Sequence, residues 1–166
     1  APGLPDPFIL SGGSNLLLTG PLHALVLYIN IPGREVLRES GEEAVIRAMA
    51  GENWHDLVLW SLEQGLGGIE NLALIPGKCG TAPIQNIGAY GVELKDVFVA
   101  CEAIEIETGK LHRFDREQCR FGYRDSFFKR EGKAKFIIVS LELRLTRKNH
   151  RLATAYGAIS GELEAN

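Results

Sequence analysis

The stretch Glu70–Gly91, ENLALIPGKCGTAPIQNIGAYG, constrains this chain more than any other. Gly77, Gly80, Gly88 and Gly91, with Gly68 just upstream, are set against Pro76 and Pro83. Glycine admits positive φ and lets backbone come close to a neighbour, while proline fixes φ and removes a donor. A stretch broken this often is neither a long helix nor a central strand. It is not a solvated loop either, because Leu72, Leu74, Ile75, Ile84 and Ile87 would leave much apolar surface in water. Its only charges are Glu70 and Lys78. Two readings stay open: backbone wrapped against a bound ligand, or a buried loop packing two parts of the chain together.

A chain of 166 residues can build one domain, or two small sub-domains sharing one core. At 45% hydrophobic and 23% charged, the composition is that of a soluble globular protein. A net charge of −3 and a pI near 5.8 argue against a nucleic-acid partner. No apolar run approaches bilayer length and no basic-then-apolar leader opens the chain, so a cytoplasmic protein without a membrane partner is expected. Cys79, Cys101 and Cys119 form no CxxC pair, which argues against a disulfide framework or a metal site. Cys79 reads as a small buried apolar residue.

Taken in order, Ala1–Pro7 is proline-rich and irregular. Phe8-Ile9-Leu10 is a short apolar run that stops at Ser11-Gly12-Gly13-Ser14-Asn15, a turn whose backbone N–H groups and side chains could cradle an anion. Residues 25–31 predict a buried strand, with 35–39 its partner across Pro32-Gly33. The 42–50 segment has helical composition. Asn53–Gln64 predicts a helix, capped by Asn53, stopped by Gly65 and burying Trp54, Leu57, Val58, Ser61 and Leu62. Trp54 and Trp60 read as core, and His55 as a surface or structural histidine. In 97–107 the alternation slips phase, which predicts a bulge or an edge. Asp115 can cap one helical turn through Cys119. Phe136–Leu145 predicts the cleanest strand, with Val139, Leu141, Leu143 and Leu145 on one face and Ser140, Glu142 and Arg144 on the other.

Arg120–Asp125 reads RFGYRD. Arginine offers a planar fork for a carboxylate or phosphate, and Asp125 could orient it. A surface salt-bridge cluster is an equally good reading of these residues alone.

IPG-x-x-G-x-x-PIQNIGAYG resembles the flavin-contacting segment of the UDP-N-acetylenolpyruvoylglucosamine reductase family. GGSN at Gly12–Asn15, GENWHDLV at Gly51–Val58 and CRFGYRDS at Cys119–Ser126 agree with that family's motifs in the same order. The resemblance implies an α+β fold, of the two-sub-domain FAD-binding kind found in vanillyl-alcohol-oxidase-like (PCMH-type) enzymes. It implies sub-domains at 1–66 and 67–157, with 158–166 opening a substrate-binding domain, and it favours a strand at 42–50. No G-x-G-x-x-G follows a strand, which argues against a Rossmann-type dinucleotide fold.

The resemblance assigns FAD contacts to Ser11, Gly12, Gly13, Ser14 and Asn15, where the family usually has glycine at the position of Ser11. It assigns further contacts to Pro76, Gly77, Gly80, Thr81, Ala82 and Ile84, and to Asn86, Gly88, Ala89 and Ile138. Arg124 matches the catalytic arginine that holds the enolpyruvyl carboxylate; Tyr123 and Tyr156 match substrate-site residues. The implied reaction passes a hydride from NADPH to FAD and from reduced FAD to UDP-N-acetylenolpyruvoylglucosamine, giving UDP-N-acetylmuramate for peptidoglycan synthesis. The protein positions the cofactor and tunes its charge.

The family is roughly twice this length, and no Ser or Glu here stands in the motif of its proton-donating serine or partner glutamate. A monomeric fragment that holds FAD without turnover is therefore expected. A flavin oxidase of the same fold, or a binding module without chemistry, is the alternative.

Overall fold

The computed structural model describes residues 7–157 and 160–161. Strands β1 (Phe8–Leu10) and β2 (Val26–Tyr28) pair in parallel, Phe8 opposite Val26 and Leu10 opposite Tyr28. This corrects the expectation for 25–31: β2 is shorter, exposed along its length, and joined to β1 rather than to 35–39. The Pro32-Gly33 corner does not fold back on β2. The Glu52 carboxylate accepts the Gly33 N–H at 2.7 Å, and the chain runs on into a different sheet.

There follow β3 (Arg34–Ser40), β4 (Glu43–Met49), helix α1 (Trp54–Glu63) and a small hairpin of β5 (Gly88–Ala89) and β6 (Val92–Glu93). Then come β7 (Phe98–Glu105), β8 (Leu111–Asp115), the one-turn helix α2 (Arg116–Cys119) and β9 (Phe136–Thr146). Five strands form one antiparallel sheet in the order β3-β4-β9-β7-β8. The 42–50 segment is thus a strand. The sheet takes strands from both sides of Leu66, where the first sub-domain was expected to end, and most of 158–166 lies outside the described residues.

The register puts the core on one face. Ala44, Ile46 and Ala48 of β4 lie opposite Leu145, Leu143 and Leu141 of β9, and Cys101 of β7 lies opposite Leu141. All are essentially buried, and each leucine contributes about 1.5–3 kcal/mol by leaving water. Helix α1 packs Trp54, Leu57 and Val58 into the same cluster and buries Ser61, whereas Leu62, expected on that face, is half exposed. Asn53 caps α1, its side chain accepting the Asp56 N–H at 3.2 Å, and the Trp54 indole donates to the Leu72 carbonyl at 2.9 Å.

The phase slip in β7 is a pair of register shifts, at Phe98/Ala100 and Glu102/Ala103, and β7 lies inside the sheet rather than at its edge. Ser140 and Glu142, on the sheet's second face, are buried as well. Asp115 caps α2 in a reciprocal pair with Gln118.

Two contacts bring the glycine-rich stretch onto this scaffold. The N–H groups of Cys79 and Gly80 donate to Glu52 and Ala50 at 2.9 and 3.1 Å. A Cβ on Gly80 would stand 2.6 Å from that of Ala50, so only glycine fits there.

Candidate functional site

The turn after β1 and the 75–87 segment face each other across a cavity of about 220 Å³. Phe8, Leu10, Trp54, Ile75, Ala82, Ile84 and Ile87 give it an apolar lining; Ser11, Ser14, Asn15, Lys78, Thr81 and Gln85 give it polar groups. Trp54 therefore serves both as core and as cavity wall. Of the residues assigned to the cofactor, Ser11, Gly12, Gly13, Ser14, Asn15, Pro76, Gly77, Thr81, Ala82 and Ile84 line this one cavity.

The two walls touch backbone to backbone. A Cβ on Gly12 would lie 3.3 Å from the Gly77 Cα, and Gly77 holds φ +122°, which L side chains rarely adopt. A Cβ on Gly77 would also come within 3.3 Å of Ser14 Oγ and 3.5 Å of Thr81 Oγ1. The N–H groups of Gly12, Gly13, Ser14 and Asn15 donate to no other protein group among the described residues. The Ser11 Oγ is buried and has no hydrogen-bond partner among them.

The remaining assigned residues lie elsewhere. Gly80 packs on Ala50, Gly88 and Ala89 form β5, and Ile138 is buried within β9. Asn86 is wholly buried, and its side chain bonds to Glu93, Gly122 and the Lys95 N–H.

Arg124 sits in a tight turn closed by the Gly122–Asp125 bridge, at φ +52°. Left-handed backbone at a non-glycine residue persists only where its surroundings enforce it. Here the Arg124 guanidinium donates to the Gly88 carbonyl, Lys129 Nζ donates to the Arg124 carbonyl at 2.9 Å, and Asp125 pairs with Arg130. The Arg130 hydrogen bond holds the Asp125 carboxyl below the usual carboxylate range. Ser126 Oγ donates to the Ile84 carbonyl at 2.7 Å, so the turn is registered against the segment that lines the cavity. Behind it, Phe127 and Phe128 nest against Phe114 and Phe136, ring centroids 5.0–6.3 Å apart. Tyr123 is 85% exposed beside Arg124, and Tyr156 meets Tyr90 edge to face at 5.8 Å.

Sequence reasoning overlooked Lys78 and Gln85 on the cavity wall. Both lie inside the glycine-rich stretch, and Lys78, its only cation, was the available signal.

A glycine turn and an apolar slot joined backbone to backbone define a protein that holds a nucleotide-bearing cofactor. A family model described as FAD binding domain matches residues 7–115, and the chain belongs to that family. It is 51% identical over 159 residues to UDP-N-acetylenolpyruvoylglucosamine reductase of Flavobacterium johnsoniae, covering 96% of this chain and 47% of the relative. To the same-named protein of Pseudomonas aeruginosa it is 51% identical over 162 residues, 98% of this chain and 47% of the relative. The chain thus spans about half the length of the curated relatives it matches. The crystal structure of UDP-N-acetylenolpyruvylglucosamine reductase from Thermus caldophilus superposes with a TM-score of 0.65 at 24% identity, over 96% of this chain and 55% of that one. It shares this α+β fold.

FAD fits the residues present. The free N–H groups of 12–15 and the orphaned Ser11 hydroxyl suit a diphosphate, and the apolar lining with Trp54 suits a planar ring system.

Proposed function

We propose that this chain is the flavin-binding portion of a UDP-N-acetylenolpyruvoylglucosamine reductase, which reduces UDP-N-acetylenolpyruvoylglucosamine to UDP-N-acetylmuramate with NADPH as electron donor. The names of its relatives support the reading, and one observation carries it: Ser126, at the end of the Arg124 turn, is hydrogen-bonded to Ile84 of the cavity wall. Bound flavin supplies the two-electron chemistry. Residues 11–15 and 76–84 hold it and keep water from its apolar face. Arg124 presents a guanidinium that pairs with the substrate carboxylate and stabilises negative charge developing beside it. Tyr123 and Tyr156 contact the rest of the substrate.

With half of the relatives' length covered, the 166 residues alone are expected to bind flavin without turnover. A cytoplasmic monomer is part of this reading, and the net charge of −3 argues against a nucleic-acid partner. No described helix is long and apolar enough to cross a membrane.

The test is Arg124→Ala in a full-length enzyme carrying this segment. Turnover is expected to fall by about 10²–10³ with the flavin absorption band retained. Unchanged turnover, or loss of the flavin itself, would overturn the role of Arg124.

A further inference from the structure

We propose that Lys78 is the cation that neutralises the diphosphate of the bound dinucleotide, and that it makes this cavity select FAD over flavins lacking a diphosphate. The inference rests on the flavin reading above and assigns a role to a residue outside it.

Among the described residues, Lys78 is the only charged one lining the cavity. Its stem passes the phosphate-type turn: a Cβ on Gly12 would meet the Lys78 Cγ and backbone nitrogen at 3.6 Å each. Its ammonium is held at the carboxyl ends of the parallel β1–β2 pair. There it donates to the Asn30 side chain and lies 4.5 Å from the centroid of the Tyr28 ring. Both partners are neutral, and no carboxylate among the described residues pairs with Lys78. The cation is therefore oriented without being neutralised. Along its stem stand the donors that await an acceptor, namely the N–H groups of 12–15 and the buried Ser11 hydroxyl. A neutral hydroxyl and backbone amides solvate an anion, but they leave its net charge uncompensated. A fixed lysine within the same half-buried wall supplies that compensation, and a charge-assisted contact is stronger than a neutral one. A flavin without the diphosphate brings no such anion for the lysine to offset, so its binding should be indifferent to this charge.

The experiment titrates the purified chain, Lys78→Met and Lys78→Arg with FAD and with riboflavin, following flavin fluorescence at low and high ionic strength. Lys78→Met is expected to weaken FAD about tenfold at low salt, to leave riboflavin within about twofold, and to flatten the salt dependence of FAD binding. Lys78→Arg should recover most of the FAD affinity. Equal weakening of both flavins would overturn the proposal, making Lys78 a packing residue on Tyr28. Unaltered FAD affinity would overturn it as well. If the folded wild-type chain bound neither flavin, the flavin reading of the cavity would fall and the role of Lys78 with it, a pattern distinct from either mutant result.

Discussion

Asn86 sits at φ +43° with its side chain wholly buried and every side-chain donor and acceptor engaged. Its amide donates to Glu93 Oε1 at 3.1 Å and to the Gly122 carbonyl at 2.9 Å, and its oxygen accepts the Lys95 N–H at 3.0 Å. Asparagine tolerates left-handed backbone better than alanine does, because its short polar side chain bonds locally. Asn86→Ala therefore removes all three bonds, leaves the Lys95 N–H without its acceptor, and adds backbone strain. A loss of about 3 kcal/mol is expected, seen as a melting temperature lower by about 6–12 °C. A melt within about 2 °C of wild type would sink this account. The motif around Asn86 was legible in the sequence, but its three partners were not. They lie 7, 36 and 9 residues away, and only the fold shows that they converge.

At the scale of elements, β9 shows where patterning succeeds and where it stops. Alternation placed Leu141, Leu143 and Leu145 on the core face correctly, because burial of one face imposes a period of two. The same rule set Glu142 on the opposite face but could not say what covers it there: Glu142 is 5% exposed, accepting from Arg113 at 2.8 and 2.7 Å and from Arg47 at 3.1 Å, arginines 29 and 95 residues away in β8 and β4. No local pattern encodes a partner at that separation. By contrast α1 was legible because its cap, apolar stripe and stop are contiguous.

The Arg113 hydrogen bonds first, then those of Arg47, hold the Glu142 carboxyl below its ordinary value of 4.5 against the opposing effect of burial. The folded state thus binds the Glu142 proton less readily than the unfolded chain does. The stabilisation is present above about pH 4.5 and lost as pH falls through the lower folded value. Glu142→Gln should cost about 2 kcal/mol at neutral pH, a modest figure because Arg113 is half exposed. The deficit should shrink on acidification. Urea unfolding of both proteins at neutral pH and near pH 3.5 measures this, and a pH-independent difference would refute it.

Across the whole molecule, stability is unevenly distributed, and the cavity lies on the boundary. The five-stranded sheet is crowded with fully buried side chains, whereas β1 and β2 are three-residue strands that pair only with each other. A lone two-stranded pair is marginal in water, and Val26 and Tyr28 remain 42% and 55% exposed. Its ties to the rest are few: the Gly51 N–H to the Ile31 carbonyl at 2.8 Å, the Gly12–Gly77 contact, and Lys78 on Tyr28 and Asn30. Local opening of this part should therefore require far less free energy than opening of the sheet. A cofactor gripped by both walls closes that gap selectively, because it binds only when both are in place. At a flavin concentration about 100 times Kd, the coupled segments gain about 2.7 kcal/mol, close to a hundredfold slower exchange by local opening. Hydrogen exchange read by mass spectrometry should accordingly show FAD slowing the amides of 8–16 and 75–87 strongly, while those of β7 and β9 change little. Protection spread evenly over the sheet, or confined to 75–87 alone, would mean that β1 and its turn are not half of the site.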